Sequence, residues 1–199
     1  DIIISGQLNH DGISWFEQND TTPPTVTSVT STVANGTYKI GDVIPVIVAM
    51  SEVVTVTGTP RIQLETGTTD RYATYSSGSS NDTLTFTYTV ASGDVSSNLD
   101  YTSTTALALN GGTIKDAAGN ATTLTLTNPG TSGSLGTNKA IVIDGIIPAI
   151  VSTTISDNNV YATLTFSEGV YNTNGGTGGV EKEDFNITLT QNGGNTTVA

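Results

Sequence analysis

The sequence predicts an all-β fold, an antiparallel Greek-key β-sandwich, and three features predict it. Thr83-Leu-Thr-Phe-Thr-Tyr-Thr-Val90 puts Leu84, Phe86, Tyr88 and Val90 on one face and threonines on the other, the two-residue alternation of a half-buried strand. Short apolar runs are separated throughout by turn residues such as Asn35-Gly36, Ser77-Gly78, Asn110-Gly-Gly112 and Asn128-Pro-Gly130. No window of about a dozen residues repeats apolar side chains at helical spacing. Many short strands at even spacing, joined by such turns, describe a sandwich.

Taken in order, the first strand of the main domain is expected over Thr25 to Val33. Val43-Ile-Pro-Val-Ile-Val-Ala-Met50 is apolar on both faces and therefore an inner strand, with Pro45 near its start, where a missing donor is tolerated. Val53 to Val56, Arg61 to Glu65, Tyr72 to Tyr75, Thr83 to Val90, Ala106 to Leu109, Thr123 to Thr127 and Lys139 to Ile143 follow. Ahead of them, Ile2-Ile-Ile4 is strand-like, Asn9-His-Asp-Gly12 is a turn, and Ile13-Ser-Trp-Phe16 carries the single Trp. Residues 1–20 are thus expected to form the last hairpin of a preceding domain or an arm that donates a strand.

The chain also repeats itself. Met50-Ser-Glu-Val-Val54 returns as Phe166-Ser-Glu-Gly-Val170, with Glu52 and Glu168 116 residues apart. Asp20-Thr-Thr-Pro-Pro24 is echoed by Asp144-Gly-Ile-Ile-Pro148, with Pro24 and Pro148 124 residues apart. Self-similarity at a fixed period marks a repeat array. Residues 21–145 then form one sandwich and residues 146–199 the first half of a second, with strands over Ala149 to Ser156, Tyr161 to Val170, Phe185 to Thr190 and from Thr196. The glycine-rich Asn172 to Gly179 is followed by no Gly-Lys-Ser/Thr and is not a phosphate loop.

Composition narrows the partners. Eighteen acidic residues against six Lys and Arg give a net charge of −12. So few cations cannot release phosphate counterions, which argues against nucleic acid, and no stretch approaches the roughly 20 apolar residues of a membrane span. Excess carboxylate instead favours divalent cations. There is no cysteine, which fits chance or a reducing compartment and equally an extracellular protein that relies on metal rather than disulfide staples. His10 is the only histidine, and no nucleophile elbow occurs, so the chain is not expected to be an enzyme.

Four motifs in sequence, Asp20-Thr-Thr-Pro-Pro-Thr-Val26, Met50-Ser-Glu-Val-Val54, Leu109-Asn-Gly-Gly-Thr-Ile-Lys-Asp-Ala-Ala-Gly-Asn120 and Ala140-Ile-Val-Ile-Asp-Gly145, resemble the bacterial Ig-like tandem repeats of S-layer proteins and large surface adhesins. The resemblance covers the first domain and the opening of the second. It implies an exported, extracellular or cell-surface module that acts as a spacer or adhesive element, is often stabilised by calcium, and has neighbouring repeats of the same or another chain as partners.

The residues themselves offer a site. Asp116 and Asn120 flank a glycine in Lys115-Asp-Ala-Ala-Gly-Asn120, and calcium takes six to eight oxygens from carboxylates, amides and carbonyls. The same pair also reads as a turn in which Asp and Asn bond local N–H groups. Glu52 and Glu168 emerge where strands leave the core, and Asp20 and Asp144 mark the junctions. A junction Asp, a strand-end Glu and the Asp116 loop meeting at one ion is the functional expectation. A Glu52 that bonds turn amides or pairs with Lys39 or Arg61 is the alternative. Asp70, Asp82, Asp94 and Asp100 read as solvated loop residues.

Three roles follow, led by the structural spacer stiffened by calcium. A filament subunit completed by strand complementation from another chain is the second. A carbohydrate-binding module using Tyr38, Tyr72, Tyr75, Tyr101 or Tyr161 is the third, although several of these tyrosines have inward parity.

Overall fold

A computed structural model describes residues 8–9, 12–13, 20–157, 161–171 and 178–185, and the chain divides into two units, Asp1–Ile146 and Ile147–Ala199. The expectations for Ile2 to Ile4, His10, Trp15 and Phe16, for most of the glycine-rich loop and for residues 186–199 lie outside the described residues.

In the first unit, β1 (Leu8–Asn9) and β2 (Gly12–Ile13) form an antiparallel hairpin. The sandwich is built from β3 (Val26–Ser31), β4 (Gly36–Lys39), β5 (Val43–Thr57), β6 (Arg61–Leu64), β7 (Arg71–Ser77), β8 (Asn81–Thr89), β9 (Val95–Ser96), β10 (Leu107–Ala108), β11 (Thr113–Lys115) and β12 (Ile141–Asp144). One sheet has the order β10-β6-β7-β8-β5-β11, with β3 also on β5, and the other is β4-β12-β9. In the second unit, β13 (Ile150–Ile155) and β14 (Ala162–Phe166) pair antiparallel, and Lys182–Asp184 forms a 3-10 turn.

Alternation explains the core. Ile44, Val46, Val48, Met50 and Val54 of β5 share a buried face with Leu84, Phe86 and Tyr88 of β8, and Ile141 and Ile143 of β12 close it from the other sheet with Leu99, Leu126 and Leu135. Each such side chain contributes about 1.5–3 kcal/mol by leaving water. Pro45 is held in mid-sheet for a local reason. Its C=O accepts from the Ser31 hydroxyl at 2.6 Å, so its N faces the edge where β3 has just ended at the Ser31↔Val46 pair and no donor is needed.

Several elements differ from the sequence reading. The strands expected over Val43 to Met50 and Val53 to Val56 are one fifteen-residue strand, interrupted only by a register shift against β8 between Ala49 and Val54. Thr123 to Thr127 is not a strand; Thr123 makes a lone parallel bridge to Thr25, and Leu126 is buried. The pairing is not wholly antiparallel, because β12 runs parallel to β4. A four-residue helix, α1 (Leu135–Asn138), is capped by Ser134 and is too short to leave a periodic signal. β4 and β11 were not foreseen either, since Gly36-Thr-Tyr-Lys39 and Thr113-Ile-Lys115 are too short to alternate convincingly.

Asp94 and Asp100 are buried, not solvated. Asp94 accepts from Arg71 Nε at 2.8 Å, the Tyr88 hydroxyl at 2.7 Å and the Ala91 N–H at 2.8 Å. Burial by itself raises an Asp pKa, but these donors, Arg71 first, outweigh it and hold the carboxyl below its ordinary range. Asp100 closes the 128–136 connection by accepting from the Gly130 N–H at 2.9 Å.

The Asp94 turn also grips the point where the chain leaves the sandwich. Gly93 N–H donates to Gly145 C=O at 2.8 Å, and Gly145 N–H donates to Asp94 C=O at 2.7 Å. A Cβ on Gly145 would stand 2.4 Å from the Ala91 carbonyl oxygen and 2.7 Å from that of Asp94. Gly145→Ala is therefore expected to cost about 1–3 kcal/mol, as overpacking does; an unchanged Tm would show that the turn can yield.

Asp94 also sets a pH response. A depressed native pKa stabilises the fold fully above the unfolded value, about 3.9 for Asp, and that contribution is lost as pH falls through the native value. Asp94→Asn is expected to melt lower at neutral pH, with the gap to the parent chain closing in acid. A gap independent of pH would show that the carboxylate charge is not what matters.

Candidate cation site at the inlet of the first sandwich

The site forms because two strands share one edge of β5. β3 pairs with Val46 to Met50, and β11 pairs with Thr55 to Thr57. Both run antiparallel to β5, so the chain before β3 and the chain after β11 meet over the gap between them. That gap holds Ser51, Glu52 and Val53. Here β5 carries four residues, Met50 to Val53, where β8 has only Asp82, and this bulge takes Glu52 out of the β8 ladder.

Asp20, Glu52 and Asp116 each present a carboxylate oxygen within 4.8 Å of the others, and together they can hold a metal ion. Asp116 is buried, Glu52 half-buried and Asp20 exposed. Asp116 is fixed by its own turn: Oδ1 accepts from Asn120 N–H at 2.8 Å and Oδ2 from the Asn120 side-chain amide at 2.7 Å. The same amide donates to the Asp20 carbonyl at 2.9 Å, tying the inlet segment to the loop. Gly119, at φ 94°, supplies the left-handed residue that this turn requires. The loop is thus both the expected Asx turn and one wall of the acidic cluster.

The charges pull apart electrostatically. Partial burial, then Asp20 and Asp116, push the Glu52 carboxyl above its usual range. Asp116 goes the other way: burial opposes its charge, but the Asn120 side chain and the N–H groups of Asn120, Gly119 and Ala118 hold its carboxyl low. Among the described residues no Lys or Arg forms an ion pair with the three, the single ion pair being Arg71 with Asp94. Glu52 is not paired with Arg61, whose guanidinium lies 3.9 Å over the Tyr72 ring.

Asp144 and Glu168 do not join this cluster. Asp144 ends β12 beside Lys39 and Val95, on the outlet side of the first unit, and Glu168 belongs to the second unit. Their local geometry nevertheless repeats that of Asp20 and Glu52. Asp20 Oδ1 accepts from Thr22 N–H at 2.9 Å, and Asp144 Oδ1 accepts from Ile146 N–H at 3.2 Å. The Ser51 hydroxyl accepts from Thr25 N–H at 2.9 Å while Ser51 N–H donates to Thr25 C=O at 2.8 Å. Ser167 does both with Ala149, at 2.9 and 2.8 Å. The serine of the repeated Ser-Glu phrase therefore closes the first pair of the opening hairpin, and the half-buried glutamate follows it.

Sequence reasoning missed the buried role of Asp94, whose only signal is the Ser-Gly-Asp turn it shares with many solvated aspartates. Comparison with protein-family models, with curated proteins and with solved structures finds no match to the chain. No described helix is long and apolar enough to cross a membrane.

Because the native Glu52 pKa is raised, its ionised form is penalised in the fold, and the penalty grows as pH rises through the native value. Glu52→Gln is therefore expected to raise the Tm at neutral pH in the absence of divalent cations. A lower Tm would show that Glu52 holds the bulge by hydrogen bonding instead.

Proposed function

We propose that the chain is a structural spacer module of an extracellular or cell-surface bacterial protein, of the Ig-like repeat kind, and that Asp20, Glu52 and Asp116 bind calcium where the preceding polypeptide enters the sandwich. The observation that carries this reading is polarity. The inlet at Asp20 lies beside Glu52 on β5, whereas the outlet at Gly145 is held by the Ala91 to Asp94 turn, which adjoins the other end of β5 through the Gly41 N–H to Val90 C=O bond. Val43 and Glu52 are nine residue steps apart along the strand, about 25–30 Å at the rise of a β-strand. A module entered at one end and left at the other extends a polypeptide, as spacers in a stacked array do.

The donors suit calcium. Carboxylate oxygens with nearby carbonyl and amide oxygens are hard ligands, and no Cys or His is among them. An ion here would replace mutual repulsion by shared attraction and lock the inlet segment, the β5 bulge and the Asp116 turn together. Neighbouring repeats, of this or another chain, are the partners this reading implies.

Calorimetric melting tests the ion. At calcium about 100 times its Kd the Tm should rise by about 5–10 °C over the chelated protein, and Asp116→Asn should abolish the rise. An identical Tm with calcium and with chelator removes calcium from the reading. Pulling the chain by its ends tests the mechanical role: the force that unfolds the first sandwich should increase with calcium, and an unchanged force would remove the stiffening.

A further inference from the structure

The first and last stretches of the first sandwich are bonded side by side along their length. Val29 N–H donates to Gly133 C=O at 2.8 Å, and the Asn138 side-chain amide donates to Val29 C=O at 2.8 Å. Lys139 Nζ donates to Val33 C=O at 2.9 Å, Ala140 N–H to Asn35 Oδ1 at 3.0 Å, and Gly36 N–H to Ala140 C=O at 3.0 Å. The parallel ladder then pairs Gly36↔Ile141, Thr37↔Val142, Tyr38↔Ile143 and Lys39↔Asp144. Residues 29–39 and 133–144 therefore advance in the same direction, partner by partner.

Within the ladder, alternate residues of β12 serve alternate neighbours. The Ile141 N–H donates to Asn98 Oδ1 at 3.3 Å and its C=O accepts from Leu99 N–H at 2.7 Å, both on the β9 side, so Val142 and Asp144 turn their backbone groups to β4. Strand direction fixes how this pair meets a load. The chain enters ahead of β3 and β4 and leaves directly after β12, through Gly145, which the Ala91 to Asp94 turn holds. β3, bonded to β5 and through Val29 to Gly133, passes tension on to β4. Tension between entry and exit then pulls β4 toward its amino end and β12 toward its carboxyl end. In a parallel pair these directions are opposite, so the strands are sheared and the load falls on the whole row of bonds at once. Peeled from one end, the same bonds would break one at a time.

We propose that the paired segments 29–39 and 133–144 are the load-bearing clamp of the first sandwich: tension between inlet and outlet is resisted here, by hydrogen bonds in shear, more than by the hydrophobic core. Forced unfolding is governed by the unfolding rate and not by equilibrium stability, so a short row of bonds that yields together can dominate it. Two side chains lengthen the row beyond the four ladder pairs, the half-buried Lys139 reaching Val33 and Asn35 reaching Ala140. The clamp deepens the spacer reading, on which its biological use rests, and is independent of the cation at the inlet.

The test pulls the full chain by its ends at constant force in the presence of chelator, the first sandwich being recognised by a gain of roughly 400 Å as its residues extend. Lys139→Met and Asn35→Ala each remove one bond of the row and should unfold roughly 3- to 10-fold faster at the same load. Ile62→Val, a core substitution on β6 outside the row, lowers the Tm but should change that rate by less than about twofold. The chain has no cysteine, so pulling can also be directed through thiols introduced by Ala34→Cys and Thr137→Cys, both exposed and both where the parallel pair begins. That direction peels the row and should unfold the sandwich at a lower load than end-to-end pulling. Equal loads in the two directions, or clamp variants that unfold no faster than Ile62→Val, overturn the proposal. Repeating the end-to-end pull with calcium separates the two readings: a rate that calcium leaves unchanged removes the stiffening ion, while the clamp stands or falls on the variants and the pulling direction.

Discussion

The structure depends on β5. Fifteen residues of one strand carry β8 along one edge and, in succession, β3 and β11 along the other, so a single backbone sets the register of the main sheet. Its apolar alternation places Ile44, Val46, Val48, Met50 and Val54 in the core, and a one-residue slip would turn that whole set to water. The bulge between Ala49 and Val54 is the one place where the ladder gives way, and it is where the acidic cluster forms. Regular strand could not have aimed Glu52 into the gap between β3 and β11.

The two ends of this strand solve opposite electrostatic problems. At the outlet, Asp94 is buried but supplied with a guanidinium, a phenol and a backbone N–H, so its charge is matched within the turn that grips Gly145. At the inlet, Asp116 is matched by its own loop, but Glu52 faces two further carboxylates, and among the described residues no base forms an ion pair with it. The fold tolerates this because Asp20 is exposed and water screens part of the repulsion. A cation or a proton at the inlet would relieve the same repulsion.

The second unit bears on the first by contrast. The same register forms in both units, so pairing of the opening hairpin is a local property of its sequence: the serine hydroxyl bond, the shift after the first pair and the threonine-rich ladder recur. Burial is not local. It arrives with β8 and with residues far along the chain such as Leu126 and Ile141, which the first unit possesses and the described part of the second does not.

Alternation and turn residues determined by themselves that the chain is all-β, and they located β3, β6, β7, β8 and β12 to within a few residues. The repeated Ser-Glu phrase singled out Glu52 without any knowledge of its surroundings. Sequence could not show that Asp20, 32 residues before Glu52, and Asp116, 64 residues after it, come within reach, because that follows from β3 and β11 sharing one edge of β5. Nor could it separate buried Asp94 from exposed Asp82, since each is an aspartate at a turn-rich boundary and only the Arg71 and Tyr88 side chains, delivered by neighbouring strands, decide which is enclosed. Local periodicity is written in adjacent residues, whereas charge proximity is created by long-range strand pairing, and that is why the tertiary structure alone decided the site.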